Sequence, residues 1–214
     1  MVSGAGSNLR AIVTACHRRQ LSLHPTVVLS DQPTAPALEY ARKEGIPVVA
    51  LAARNYPDRV SWEQALSDAL SAFAPDLIAL AGFMRILTPA FVTLFAGRMV
   101  NIHPSLLPLY PGRHPHRQAL QAGASMHGAT VHLVTREVDG GPRLAQIRIP
   151  VQPGEDEASL IARTKMAEHR LYPEVLEWIA QGRLVLSADA VLQDGVILRE
   201  PLVLEAPHEA LATR

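Results

Sequence analysis

Cysteine is almost missing from this 214-residue chain: Cys16 is the only one, so no disulfide can form within it. That composition suits a reducing compartment. Cys16 lies in a helical pattern without an activating neighbour, which reads as a core or half-buried thiol rather than a nucleophile. Lysine is nearly absent too, with only Lys43 and Lys165 among the basic residues. Twenty basic residues balance twenty acidic ones and no arginine run forms a stripe, so neither nucleic acid nor an anionic membrane is an expected partner. No stretch approaches the roughly 20 apolar residues of a membrane span. The first residues lack the basic patch and apolar run of a secretion signal, and the expected compartment is cytoplasmic.

What remains is an ordinary globular composition, 48% hydrophobic and 19% charged. Apolar spacing predicts helices over 8–20, 35–44, 62–73 and 157–181, the second closing at Gly45. Short apolar runs over 26–30, 47–51, 76–80 and 99–103 read as buried strands. Strands alternating with helices predict an α/β fold, a doubly wound, mostly parallel sheet. From Gly128 the pattern changes. Runs over 129–135 and 144–151, joined across a Gly-Gly-Pro turn, predict an antiparallel C-terminal part. Two short edge strands are expected within 184–198 and a loosely ordered tail after Pro201. The expected division is 1–186 as one domain. Residues 187–214 then supply edge strands and tail.

Only Met1 and Val2 precede the turn Ser3-Gly4-Ala5-Gly6, whereas such a turn is normally fed by a strand of about 5–6 residues. The first strand is therefore expected to be largely missing, and a start further upstream is expected to raise thermal stability. The turn itself, Gly4-Ala5-Gly6-Ser7-Asn8-Leu9, leads straight into a helix whose free N–H groups suit a phosphate. A plain capped turn accounts for it equally well.

Asn101-Ile102-His103-Pro104 closes the fourth predicted strand. Residues two apart share a face, so Asn101 and His103 project together at the strand's C-terminal end, where ligands bind in such sheets. An amide and an imidazole aimed at one point can stabilise a developing oxyanion. Asp139, in Asp139-Gly140-Gly141-Pro142, either initiates the turn or serves as a carboxylate beside His103, raising its pKa and shuttling a proton.

Taken in order, SGAGSNL, AGFMRIL, NIHPSLLPLYPG, HGATVHLVTREVDGGP and AEHRLYP resemble the single-domain, 10-formyltetrahydrofolate-dependent phosphoribosylglycinamide formyltransferases. The resemblance runs from Ser3 to about Leu186 and implies a Rossmann-like formyltransferase fold, with a phosphate-binding N-terminal half and a folate-binding C-terminal half. It further implies catalysis by Asn101, His103 and Asp139, with His103 protonated, and direct attack of the substrate amine on the formyl carbon without a metal. Gly6, Ser7, Asn8 and Glu168 would hold the ribonucleotide, and Arg59, Met84, Arg85, Ile86 and Leu87 the folate. Residues 106–118 would form a mobile, non-helical lid, consistent with Pro104, Pro108, Pro111 and Pro115. The implied partners are small molecules, and the implied assembly is a monomer or homodimer. His114-Pro115-His116 offers two imidazoles, but no further ligand stands at metal spacing. His132, on an alternating strand, either faces the site or packs.

The alternatives are a formyltetrahydrofolate hydrolase, a sugar-nucleotide formyltransferase or an inactive folate-binding protein. The first would carry an N-terminal regulatory domain and the second a different phosphate loop. Intact Asn101, His103 and Asp139 argue against the third.

Overall fold

A computed structural model describes residues 1–18 and 21–205. Its strands are β1 (Val28–Ser30), β2 (Val48–Ala50), β3 (Ile78–Leu80), β4 (Met99–His103), β5 (Met126–Leu133), β6 (Arg143–Pro150), β7 (Leu184–Leu186), β8 (Val191–Gln193), β9 (Val196–Ile197) and β10 (Leu202–Glu205). The helices are α1 (Ser7–His17), α2 (Pro36–Lys43), α3 (Arg59–Phe73), α4 (Pro89–Leu94), α5 (Pro115–Gln121) and α6 (Glu157–Ala180).

β1 and β2 pair in parallel, and a five-stranded sheet runs in the order β10-β6-β5-β4-β3. β3 and β4 are parallel, β5 is antiparallel to both its neighbours, and β10 is parallel to β6. Met1 and Val2 lie between the two sheets. The Val2 N–H donates to Leu29 O, the Ala81 N–H donates to Met1 O, and the terminal amine donates to Ala79 O at 2.7 Å. Of these two residues Val2 alone forms a bridge, parallel to Ser30, and a cavity of about 140 Å³ lies in the same seam, lined by Met1, Val27, Val28, Leu77 and Ile78 among others. Burial lowers the amine's pKa to about 5.

The main core lies between the central sheet and α6. Val131, Leu133, Ile147, Ile149, Leu160, Leu171 and Val175 are all fully buried there, each worth roughly 1.5–3 kcal/mol on removal from water. Tyr172 fixes α6 in register, its hydroxyl 3.1 Å from both Leu80 O and Val100 O. Asp156 caps α6 by accepting from the Ser159 N–H at 2.7 Å, and Asp58 caps α3 by accepting from Ser61 N–H at 2.7 Å.

Several expectations need correction. α3 starts at Arg59 rather than 62 because Asp58 supplies the cap. The segment 184–198 forms three strands, a small antiparallel β7-β8-β9 sheet, rather than two. Part of the tail is β10, because alternation sets half-buried Leu202 and Leu204 against the core and leaves Val203 exposed. The predicted end of the first helix, at Gln20, and the tail over 206–214 lie outside the described residues. A boundary at 186 falls between β7 and β8, which pair with each other.

Candidate active site

β4 delivers two side chains to one point, and β5 delivers a third. Asn101 and His103 share a face of β4, and His132 on β5 stands opposite Asn101 in the register. The Asn101 amide donates to His132 Nε2 at 3.1 Å. His132 Nδ1 lies 3.1 Å from Leu133 O, and a carbonyl only accepts, so Nδ1 carries the proton and Nε2 is left to receive the amide. His132 therefore faces the site, which its alternating strand alone did not decide.

Asp139 arrives on the β5–β6 turn. This turn folds back tightly: the Leu133 N–H donates to Pro142 O at 2.8 Å. A Cβ on Gly141 would stand 1.9 Å from Leu133 O, so only glycine fits. Asp139 itself takes a left-handed backbone, φ 54°, a strained state of the kind found at functional sites. One of its oxygens lies 3.5 Å from His103 Nδ1 and the other 3.5 Å from His132 Nε2. The first also accepts from the Gly112 N–H at 2.9 Å. The side chains of His103, His132 and Asp139 are only 8%, 4% and 10% exposed.

Burial works to raise the Asp139 pKa, but the nearby His132 and His103 imidazoles and the bond from the Gly112 N–H prevail and hold it below the usual carboxylate value. For His103 the balance tips the other way. Burial lowers its pKa, and Asp139 and the Tyr110 carbonyl only partly oppose this. The carboxylate raises the imidazole in sign, as expected, but the net direction is downward.

Residues 105–107, where the expected lid begins, are held from beneath. Thr130 Oγ1 donates to Ser105 O at 2.6 Å and accepts from the Leu107 N–H, while the Gln146 amide donates to Leu107 O. Further along, His103 Nε2 donates to Tyr110 O at 3.0 Å. The prediction of a non-helical lid needs correction, because Pro115 occupies the first turn of α5, where its missing N–H costs nothing. His114 is exposed whereas His116 is buried, its ring 5.0 Å from that of His127, so the two imidazoles of the HxH pair face apart. Among the described residues no three His, Cys, Asp or Glu side chains cluster as metal ligands.

Gly6 precedes α1 with φ 72°, and a Cβ there would stand 2.6 Å from that of Ala37. No side chain caps this helix, so the free N–H groups of its first turn remain available to an anion. Ser7 and Asn8 begin the helix, and the Asn8 amide donates to Glu168 on α6 at 2.9 Å. Asn8 Oδ1 is buried without a partner among the described residues, an acceptor suited to a ligand hydroxyl. Burial raises Glu168 to about 7, opposed in part by Asn8 and Lys165.

The 84–87 segment borders a cleft that Ser3, Asp31, Tyr56, Arg59, Trp62 and Arg113 also line. Met84 and Ile86 expose 76% and 65% of their surface, an apolar rim, whereas Leu87 is buried in the core and offers only its backbone. The Arg59 guanidinium donates to Ile86 O and to Glu63. Arg85 donates to Asp31 at 2.9 Å. Sequence reasoning missed Asp31, Glu63 and Ser3. Nothing in their spacing marks them, because they meet 84–88 only through the tertiary fold.

The open α/β sheet, with Asn, His and Asp converging at a strand end beside a cleft, defines a group-transfer site of the oxyanion-stabilising kind. The formyl transferase family matches residues 1–176, and the chain belongs to that family. It is 46% identical over 195 residues to the phosphoribosylglycinamide formyltransferase of Escherichia coli K12, covering 91% of this chain and 92% of that one. Among solved structures it resembles the Coxiella burnetii phosphoribosylglycinamide formyltransferase, with a TM-score of 0.89, 40% identity, and 94% and 96% of the two chains covered. It also resembles glycinamide ribonucleotide transformylase 1 of Symbiobacterium toebii, with a TM-score of 0.85, 41% identity, and 90% and 91% covered.

Proposed function

We propose that the chain transfers the formyl group of 10-formyltetrahydrofolate to the amine of glycinamide ribonucleotide, in purine biosynthesis. The observation that carries this reading is the meeting of Asn101, His103 and Asp139 at the end of β4. The amine attacks the formyl carbon and the carbonyl oxygen gains negative charge. Asn101 Nδ2 and His103 Nε2 donate to that oxygen once the His103 N–H turns from the Tyr110 carbonyl to it. Asp139, held ionised, receives a proton from the attacking nitrogen and returns it to the folate nitrogen as the bond from that nitrogen to the formyl carbon breaks. His132 keeps the Asn101 amide turned toward the reacting centre.

The ribonucleotide phosphate sits at the first turn of α1, on Gly6, Ser7 and Asn8. Asn8 Oδ1 and Glu168 take the ribose hydroxyls. The folate lies along Met84, Arg85, Ile86 and the Leu87 backbone, with Arg59 toward its carboxylate end. On this assignment the phosphate residues 6–8 and the folate residues 59 and 84–87 all fall in the N-terminal half of 1–186, and the expected folate-binding C-terminal half contributes Glu168 to the ribonucleotide instead. The enzyme works in the cytoplasm as a monomer or homodimer and needs no metal. No helix of the described residues is long and apolar enough to cross a membrane, which is compatible with that setting.

The test is a transfer assay with purified protein, 10-formyltetrahydrofolate and glycinamide ribonucleotide. Folate turnover that requires the ribonucleotide supports the reading. Turnover with water alone overturns it in favour of a hydrolase, and binding without turnover in favour of an inactive folate binder.

A further inference from the structure

The 84–88 segment is held at both ends by buried carboxylates that belong to neither substrate subsite. At its far end, Glu63 is 6% exposed and accepts from the Thr88 N–H at 2.9 Å, from the Thr88 hydroxyl and from Arg59. At its near end stands Asp31, 3% exposed at the C-terminal end of β1. Asp31 Oδ1 accepts from the Ser3 hydroxyl at 2.6 Å, and Oδ2 accepts from Arg85 Nε at 2.9 Å and Gln32 Nε2 at 3.0 Å. The Ser3 hydroxyl in turn accepts from the Met84 N–H at 2.8 Å, and the Ser3 N–H donates to Gly82 O at 3.0 Å. Ser3 opens the glycine-rich turn, and Met84 and Arg85 open the segment proposed to read the folate. A single carboxylate therefore fixes both.

From this arrangement we infer that Asp31 is a positioning residue: through Ser3 and Arg85 it sets the backbone of 84–86 against the phosphate turn and so governs folate affinity. This rests on the proposed folate subsite. Every atom facing Asp31 is a donor, namely a hydroxyl, a guanidinium and an amide. A carboxylate has acceptors on both faces and satisfies all three. An asparagine presents one donor face, so either Arg85 loses its charged acceptor or the Ser3 hydroxyl must turn from donating to accepting. Holding Arg85 by Nε also leaves the outer edge of its guanidinium toward the cleft, beside Trp62 at 5.7 Å.

The experiment compares Asp31→Asn and Ser3→Ala with the wild type by steady-state kinetics in both substrates, by titration with a non-reactive 10-formyl folate analogue, and by thermal melting. Asp31→Asn is expected to raise the folate KM and the analogue Kd together by about tenfold while kcat stays within about twofold. Ser3→Ala keeps the carboxylate but cuts the link to Met84, and is expected to raise the same constants by a smaller factor. Asp31→Asn combined with Arg85→Gln should cost less than the product of the two single effects, because both act on one contact. An analogue Kd unchanged in folded Asp31→Asn overturns the inference. So does a fall in kcat with the folate KM unmoved, which would place Asp31 with the chemistry. If Asp31→Asn fails to fold, the Ser3→Ala constants decide. A wild type that binds the analogue without transferring formyl would sink the proposed reaction and leave this inference standing. A wild type that does not bind the analogue sinks both.

Discussion

Asp139 and Glu168 are both largely withdrawn from water, yet their surroundings push their protons in opposite directions. Asp139 accepts from the Gly112 N–H and stands beside two imidazoles, and together these outweigh the penalty of burial and keep it ionised. Glu168 has one neutral amide bond, and burial raises it to about 7. A carboxylate needed as a base has to be charged at working pH. One that shares hydroxyl hydrogens with a sugar can sit near half-protonation and still accept and donate. The difference between the two sites comes from the deeper burial of Glu168 together with the groups aimed at each carboxylate.

The hardest way to break this comparison is at the charged end. His103→Ala and Asp139→Asn should each lower kcat by about 10²–10⁴, the range for losing a general acid–base or oxyanion group. Ligand titration should show binding retained; turnover near that of the wild type would refute the assignment. Gly141→Ala forces a methyl group onto Leu133 O and moves the turn that carries Asp139. It should lower kcat by at least tenfold, since small displacements of catalytic groups are costly, and should also lower Tm. An alanine variant with unchanged kinetics would show that the turn does not set the carboxylate.

The neutral end gives a pH signature. Between pH 4.5 and about 7 the unfolded chain has released the Glu168 proton while the folded chain still holds it. Stability therefore falls as pH rises through that window, by up to roughly 3 kcal/mol. Glu168→Gln removes the effect, so denaturant melts should match the wild type near pH 4.5 and show the variant more stable above pH 7. Weaker ribonucleotide binding should accompany that gain, and identical pH profiles would count against the raised pKa. The smallest effect lies away from both carboxylates: Asp58→Ala deletes the α3 cap bond to Ser61 and should lower Tm slightly in a thermal melt without changing kcat.

The alternating elements, the switch to antiparallel pairing after Gly128 and the pairing of Asn101 with His103 were legible in the sequence. Each depends on local periodicity, and a strand's two-residue repeat places side chains without reference to the rest of the fold. β10 and the capped start of α3 were harder to read because one Asp, or four alternating residues, carry too little signal alone. The resemblance of the motifs pointed to the family.

The tertiary structure alone decided the electrostatics. Whether His103 is raised or lowered depends on a balance between burial and Asp139, and both depend on how the turn beyond β5 folds back. His132 joins the site because antiparallel register sets it opposite Asn101. Asp31 meets Ser3 and Arg85 across 28 and 54 residues of sequence. Local pattern fixes which face of an element a residue occupies, but pKa and polar partnership are set by what packs against that face, and those neighbours come from distant parts of the chain.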